Sequence, residues 1–287
     1  MLFPYHPVAS VLPEGCVPYE QWPEYMLESD IEQILRPSAV DEYPRGRRWG
    51  RWPFYFEEYI SDIEPMVDAA EYSASTHTRI VRWHRVTRTD IPQGWRSFSK
   101  KPSKIEGIVD LANTPEFVKH WSESTRRYYK KWQRCGGEGY AIVETDFQTF
   151  AKAYRRSSVS KKTYATSINI TKRKVERGNP NILFFTVQLQ NKIIAGMSVI
   201  VSPTHQASYY DCGFILTEAE SVPAMVGLMH YWHTKSLTEG IRFLHLGNFW
   251  FPGKPKSWKG FSEFKSKFGL VYIEYPPALY RLQKGSI

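Results

Sequence analysis

An α+β fold, with a mixed sheet flanked by helices behind an irregular N-terminal portion, is what this 287-residue sequence predicts. The first reason is the order of patterns after residue 180: three strand-like runs, an apolar run at helical spacing, a strand, a short helix and a last strand. The second is the crowding of proline and aromatic residues into positions 1–55, where fixed φ angles and missing donors favour an irregular strap. The third is a composition of 42% hydrophobic and 15% aromatic residues, enough to fill a core and too rich for a disordered chain.

Taken in order, the strap holds one expected helix near Ser29–Leu35 and a loop, Gly46 to Trp52, in which arginine alternates with tryptophan. Residues 56–70 read as helix and Arg79–Val86 alternates like a strand. Asn113-Thr114-Pro115-Glu116 has a cap residue and a first-turn proline, so a helix is expected to run to Gln133 and stop at Gly136-Gly137. Ala141–Val143 is a short strand, Asp146 caps a helix to about Arg156, and 168–176 is helical. Ile182–Gln190 and Lys192–Val201 form a hairpin turning at Gln190-Asn191-Lys192, and Ala207–Phe214 adds a third strand. A helix over Pro223–Thr238, a strand over Arg242–Leu246, a short helix over Phe261–Phe268 and a strand over Val271–Tyr275 complete the order, with Pro276-Pro277 as terminus.

Charge is divided unevenly. Residues 1–78 carry 14 acidic and five basic residues, whereas the whole chain is +9, so the remainder is strongly basic. Arg79–Lys104 holds eight Lys/Arg against Asp90, and Lys152–Arg177 nine against Glu176. Such clusters either attract a phosphate-bearing partner or form a solvated face balanced by the acidic segment. Three cysteines far apart (Cys16, Cys135, Cys212) exclude a disulfide framework and a four-ligand zinc site. No apolar run reaches the roughly 20 residues of a membrane span, and the first residues lack a secretory pattern, so a cytoplasmic protein is expected.

A succession of phrases then carries a resemblance. A helix with Ser124-Thr125-Arg126-Arg127 runs into Cys135-Gly136-Gly137, and a hairpin reads Val187-Gln188-Leu189-Gln190-Asn191-Lys192-Ile193-Ile194-Ala195-Gly196. Tyr209-Tyr210-Asp211-Cys212-Gly213 follows, then Phe243-Leu244-His245-Leu246-Gly247, and finally Phe264-Lys265-Ser266-Lys267-Phe268-Gly269, a Phe-Lys-x-x-Phe-Gly phrase. Over about residues 115–280 the chain resembles the GNAT superfamily of acyltransferases, and within it the FemAB-like branch that includes peptidoglycan-bridge aminoacyltransferases. The resemblance implies a GNAT-like sheet in an acyltransferase domain at 111–287. It leaves 1–110 as a strap, with a reduced first GNAT-like subdomain as one reading. It implies transfer of an acyl or aminoacyl group from an activated carrier to an amine on a small molecule or peptide, with no bound cofactor. A non-catalytic RNA- or polyanion-binding protein on a degenerate transferase fold is the alternative.

The donor follows from a departure. Acetyl-CoA enzymes of this superfamily carry a glycine-rich loop whose N–H groups cradle pyrophosphate. Here Thr217–Gly227 is acidic and lacks that glycine pattern, which favours aminoacyl-tRNA over acyl-CoA and makes tRNA an expected partner. In the same resemblance, Lys265 stands near the reacting carbonyl as a fixed cation, with Phe264 packing to orient it. Tyr209 and Asp211 alternate onto one strand face that either lines an acceptor cleft, with Asp211 taking a proton or binding an amine, or makes core hydrogen bonds. Asn248 either binds acceptor or serves its turn. Arg126, Arg127 and Lys130 hold donor phosphates or cover a helix. His230 and His233 are three apart on a helix without a carboxylate at ligand spacing, so no metal is expected.

Overall fold

A computed structural model describes residues 54–61, 78–85 and 91–284, apart from 102, 104, 137–138, 162–164, 177–180, 204–205, 220–221, 255 and 275. The expected helix at Ser29–Leu35 and the Arg/Trp loop at 46–52 lie outside the described residues. Its strands are β1 (Phe54–Ser61), β2 (Thr78–Arg85), β3 (Arg96–Ser97), β4 (Ile105–Asp110), β5 (Tyr140–Thr145), β6 (Ile182–Leu189), β7 (Lys192–Ser202), β8 (Ala207–Ile215), β9 (Phe243–Asn248), β10 (Val271–Glu274) and β11 (Leu279–Lys284). Its α-helices are α1 (Glu123–Cys135), α2 (Phe147–Arg156), α3 (Ser158–Lys161), α4 (Ala165–Glu176), α5 (Ala224–Thr238) and α6 (Lys259–Lys265).

The chain divides into two compact units, one of residues up to Glu106 with those from Tyr272 on, the other Gly107–Val271. The first has a sheet in the order β1–β2–β11–β3, with β1 parallel to β2 and β11 antiparallel to both β2 and β3. Val81, Trp83, Trp95 and Leu279 form its buried cluster, Trp83 meeting Trp95 edge to face at 5.3 Å. Two expectations fail here. The segment read as helix from residue 56 is strand to Ser61, because Phe54, Tyr55, Phe56, Tyr59 and Ile60 favour a pleated strand and β2 supplies a ladder. Pro276-Pro277 ends nothing: Leu279–Lys284 follows as β11 and closes on β2.

The second unit is an α+β layer whose strands run β4–β9–β8–β7–β6–β5. Strands β5 to β8 form an antiparallel meander, and β6 turns into β7 through Gln190 (φ 48°) and Asn191 (φ 65°). Two left-handed residues give the primed turn whose twist matches its strands. Strand β9 is parallel to β8, which requires the α5 crossover. Alternation then assigns the faces. Phe184 and Phe214 meet Phe150 of α2 at 5.1 and 5.3 Å. Phe185 meets Tyr231 of α5 at 5.1 Å, and Trp232 of α5 donates its indole N–H to Ser208 at 2.8 Å.

Asp146 caps α2 as expected, its carboxylate accepting from the Thr149 N–H (2.8 Å) and hydroxyl (3.0 Å). Those bonds hold the carboxyl below its usual range. The helix expected from residue 114 is instead a 3₁₀ turn, Phe117–His120, broken from α1 at Trp121. Trp121 is buried with extended backbone, and Ser122 restarts the helix by accepting from the Thr125 N–H while its own N–H goes to the Lys267 carbonyl.

Candidate active site

Pairing of β8 with β9 covers Ala207↔Phe243, Ser208↔Leu244 and Tyr209↔His245. Strand β8 continues to Ile215 and β9 to Asn248, so the two part at their carboxyl ends and leave a notch inside the sheet. Openings at the carboxyl ends of parallel strands are where α/β sheets commonly take ligands.

Lys265, in the last turn of α6, reaches this point. Its ammonium donates to the Leu246 carbonyl at 2.5 Å, an acceptor just past the last paired residue of β9. The same Nζ stands 4.5 Å from the centroid of the Tyr210 ring, the first β8 residue past the pairing. The Phe-Lys-x-x-Phe-Gly phrase explains the placement. Phe268 is buried against Trp121 at 5.0 Å, Phe264 packs on Phe268 at 5.1 Å, and the Phe268 N–H closes the helix end on the Lys265 carbonyl. Phe264 is half-buried. Gly247 turns the end of β9 at φ +73°, and a Cβ there would stand 3.7 Å from the Lys265 ammonium. Asn248 follows, exposed, at the mouth of the notch.

The floor is aromatic. Tyr209 stacks on His245 at 4.6 Å in the last paired position. Tyr210 was not expected in the site, and burial raises its hydroxyl above the ordinary tyrosine range, keeping it neutral. The only signal for it was its adjacency to Tyr209.

Asp211 is placed elsewhere. Register between β7 and β8 shifts where Ser198 pairs Cys212 and Val199 pairs Tyr210, so Asp211 is the extra residue of a β-bulge. Its carboxylate accepts from Lys174 (2.8 Å) and Thr171 (2.6 Å) of α4 and from Ser198 (3.0 Å). Three donors satisfy it, and the bulge breaks the simple alternation with Tyr209 on which the shared-face expectation rested. Cys212 lies in the same cluster, 3.1 Å from Ser198 Oγ, and burial raises its thiol so that it stays protonated.

The cations of α1 separate by role. Arg126 donates to the Lys119 and Trp121 carbonyls, both at 2.9 Å, bracing the turn before the helix. Arg127 and Lys130 are exposed and share one helical face with the exposed Lys131 and Arg134 at i, i+3, i+4, i+7. His230 hydrogen-bonds Tyr129 Oη at 2.7 Å and stacks on its ring at 4.3 Å. His233 is fully buried and donates from Nδ1 to the Met229 carbonyl at 2.7 Å.

The segment leading into α5 binds itself. The N–H groups of Ala219, Val222, Ala224, Val226 and Gly227 donate to the carbonyls of Leu216, Ala219, Val222, Pro223 and Pro223. Glu218 is exposed there, 3.5 Å from Arg156. Among the described residues no group of three or more His, Cys, Asp or Glu could hold a metal ion, and no helix is long and apolar enough to cross a membrane.

No protein-family model matches the sequence, and no curated protein matches it. Among solved structures, FemX is similar over 83% of this chain and 83% of its own, at 11% identity and a TM-score of 0.58. Lower scores relate the chain to the C-terminal domain of a protein classed as a lysylphosphatidylglycerol synthetase from Agrobacterium fabrum (12% identity, 82% and 78% coverage, TM-score 0.48). A tandem GNAT protein from the clavulanic acid pathway also matches (8% identity, 72% and 64% coverage, TM-score 0.42). The sheet that opens beside Lys265 therefore belongs to a fold shared with FemX.

Proposed function

We infer that the chain is an N-acyltransferase that takes an acyl or aminoacyl group from an activated carrier, aminoacyl-tRNA in preference to acyl-CoA, and gives it to an amine. The observation that carries this is the Lys265 ammonium held in the notch between β8 and β9 by Leu246 and Tyr210. A donor carbonyl placed there polarises toward a cation already fixed and partly out of solvent. Attack by the amine forms the C–N bond and puts negative charge on the carbonyl oxygen, which the ammonium stabilises. Collapse breaks the ester C–O bond, and the departing ribose hydroxyl gains the proton that the amine loses. A preorganised donor of this kind supplies roughly 10²–10³ in rate.

Two features favour the tRNA-borne donor. The N–H groups of Ala219, Val222, Ala224, Val226 and Gly227 around the start of α5 are spent within their own turns, beside an exposed glutamate, instead of pointing at a pyrophosphate. The exposed face of Arg127, Lys130, Lys131 and Arg134 suits a polyanion. The test offers the full-length protein total tRNA charged with labelled amino acids and, separately, labelled acyl-CoA, each with a panel of amines. Label passing from tRNA to an amine is the expected result. Transfer from acyl-CoA alone would overturn the donor assignment, and transfer from neither would overturn the catalytic reading.

A further inference from the structure

Between β9 and the end of α6 the chain spends fourteen residues, Phe249 to Ser262, without one acidic side chain. Three lysines and four aromatic residues of this stretch remain at the surface or half-buried: Trp250, Phe251, Lys254, Lys256, Trp258, Lys259 and Phe261. Two of the lysines stand over rings. Lys254 Nζ stands 5.1 Å from the Phe251 centroid, and Lys259 Nζ 5.6 Å from that of Trp250.

The loop is braced without any ligand. The Trp250 N–H donates to Ser262 Oγ (2.6 Å), which donates in turn to the Trp258 carbonyl (3.1 Å). The Trp250 indole N–H goes to the Lys254 carbonyl (3.1 Å), and the Lys254 N–H to the Phe251 carbonyl (3.0 Å). Rings needed only for the core are buried, as Phe249 beside them is. Lysines needed only for solubility require no ring beneath them. A half-open indole braced by its own N–H, a second half-open indole eight residues on and lysines between and beside them match a nucleotide instead, a ring stacking on a base and an ammonium pairing with a phosphate. The loop also leaves β9 at Asn248, one residue past the Gly247 that faces the Lys265 ammonium.

We propose that loop 249–259 grips the single-stranded 3′ end of an RNA, stacking its last bases on Trp250 and Trp258 and holding its phosphates with Lys254, Lys256 and Lys259. The terminal ribose is thereby delivered to the notch beside Lys265. This deepens the tRNA-borne reading of the donor and rests on it for the identity of the RNA. A basic α1 face binds duplex backbone without regard to ends; the loop adds selection for an unpaired end.

The experiment is fluorescence anisotropy of the full-length protein with a labelled four-nucleotide RNA, ACCA, and with a blunt RNA duplex. Coenzyme A serves as competitor. The expected result is preferential binding of ACCA, weakened about tenfold by Trp250→Leu or Trp258→Leu and restored by Trp258→Tyr, because stacking and not bulk is what counts. Lys256→Gln and Lys259→Gln each flatten the slope of log affinity against log salt by about 0.7, the share of one phosphate contact on a single strand. Circular dichroism confirms that each variant is folded. Wild-type binding of ACCA that the leucine variants leave unchanged would overturn the loop assignment, while charged-tRNA transfer still judges the donor separately. Displacement of ACCA by stoichiometric coenzyme A would overturn both, reassigning the loop to the nucleotide of a thioester donor.

Discussion

Lys174 Nζ lies 2.8 Å from Asp211 Oδ1, and the two side chains keep only 13% and 10% of their exposure. The pair joins α4 to the bulge of β8, with Thr171 and Ser198 taking the other carboxylate oxygen. Breaking a buried pair by removing one partner leaves an uncompensated charge, at a cost of about 3–5 kcal/mol. Lys174→Met is expected to lose that much stability by urea denaturation, and Lys174→Met with Asp211→Leu to recover part of it. If Asp211 were a proton acceptor for the reaction, Asp211→Asn would instead abolish transfer at unchanged stability.

Lys265→Met removes the notch cation. Transfer is expected to fall by about 10²–10³, and the stability change to stay near the roughly 1 kcal/mol of one hydrogen bond. Rate and urea midpoint measured on the same preparation separate the two effects. Equal rates for variant and wild type would remove Lys265 from the chemistry.

Burial lowers the pKa of His233 to about 3, against an opposing contribution from its bond to Met229, so the folded protein holds this ring neutral. The unfolded chain protonates it below about 6.5. Stability from this residue is therefore full above that pH and is lost as pH falls toward 3, at about 1.4 kcal/mol per unit. Urea midpoints at successive pH values below 6.5 are expected to fall in wild type and to fall less steeply in His233→Leu.

Gly227 of α5 lies directly against the Trp132 ring of α1. A Cβ there would meet the Trp132 ring at 2.3 Å, well inside contact distance. Gly227→Ala is expected to cost about 1–3 kcal/mol through overpacking, lowering Tm by about 2–4 °C for each kcal/mol in a calorimetric scan. An unchanged Tm would mean the helices part without penalty.

What was legible in the sequence was local. The hairpin turn at Gln190-Asn191 and the Asp146 cap each depend on neighbours a few residues away, and each stands in the structure as read, while the short helix expected over Phe261–Phe268 is present but shifted to Lys259–Lys265. What escaped depended on distant partners. Asp211 stays open between an acceptor cleft and core hydrogen bonds in the sequence because Lys174 is 37 residues before it and a bulge leaves no periodic mark. Residues from 56 on read as helix although aromatic and β-branched side chains there favour a strand, because the β2 ladder that decides between the two is supplied from residues 78–85. Arg126 was grouped with Arg127 by adjacency, yet one step of 100° turns the first toward backbone carbonyls and the second toward solvent.

A sheet that opens in its middle carries a hazard as well as a binding place. Past Tyr209 and His245 two strands present backbone groups to a gap, and such rows are templates on which another chain can add a strand. Lys265 already occupies the Leu246 carbonyl, so an incoming strand would have to evict a cation to pair there. One lysine thus keeps the gap closed to a neighbour's backbone. Lys265→Met, beyond its loss of rate, is expected to self-associate with rising concentration in light scattering while its folded monomer remains intact.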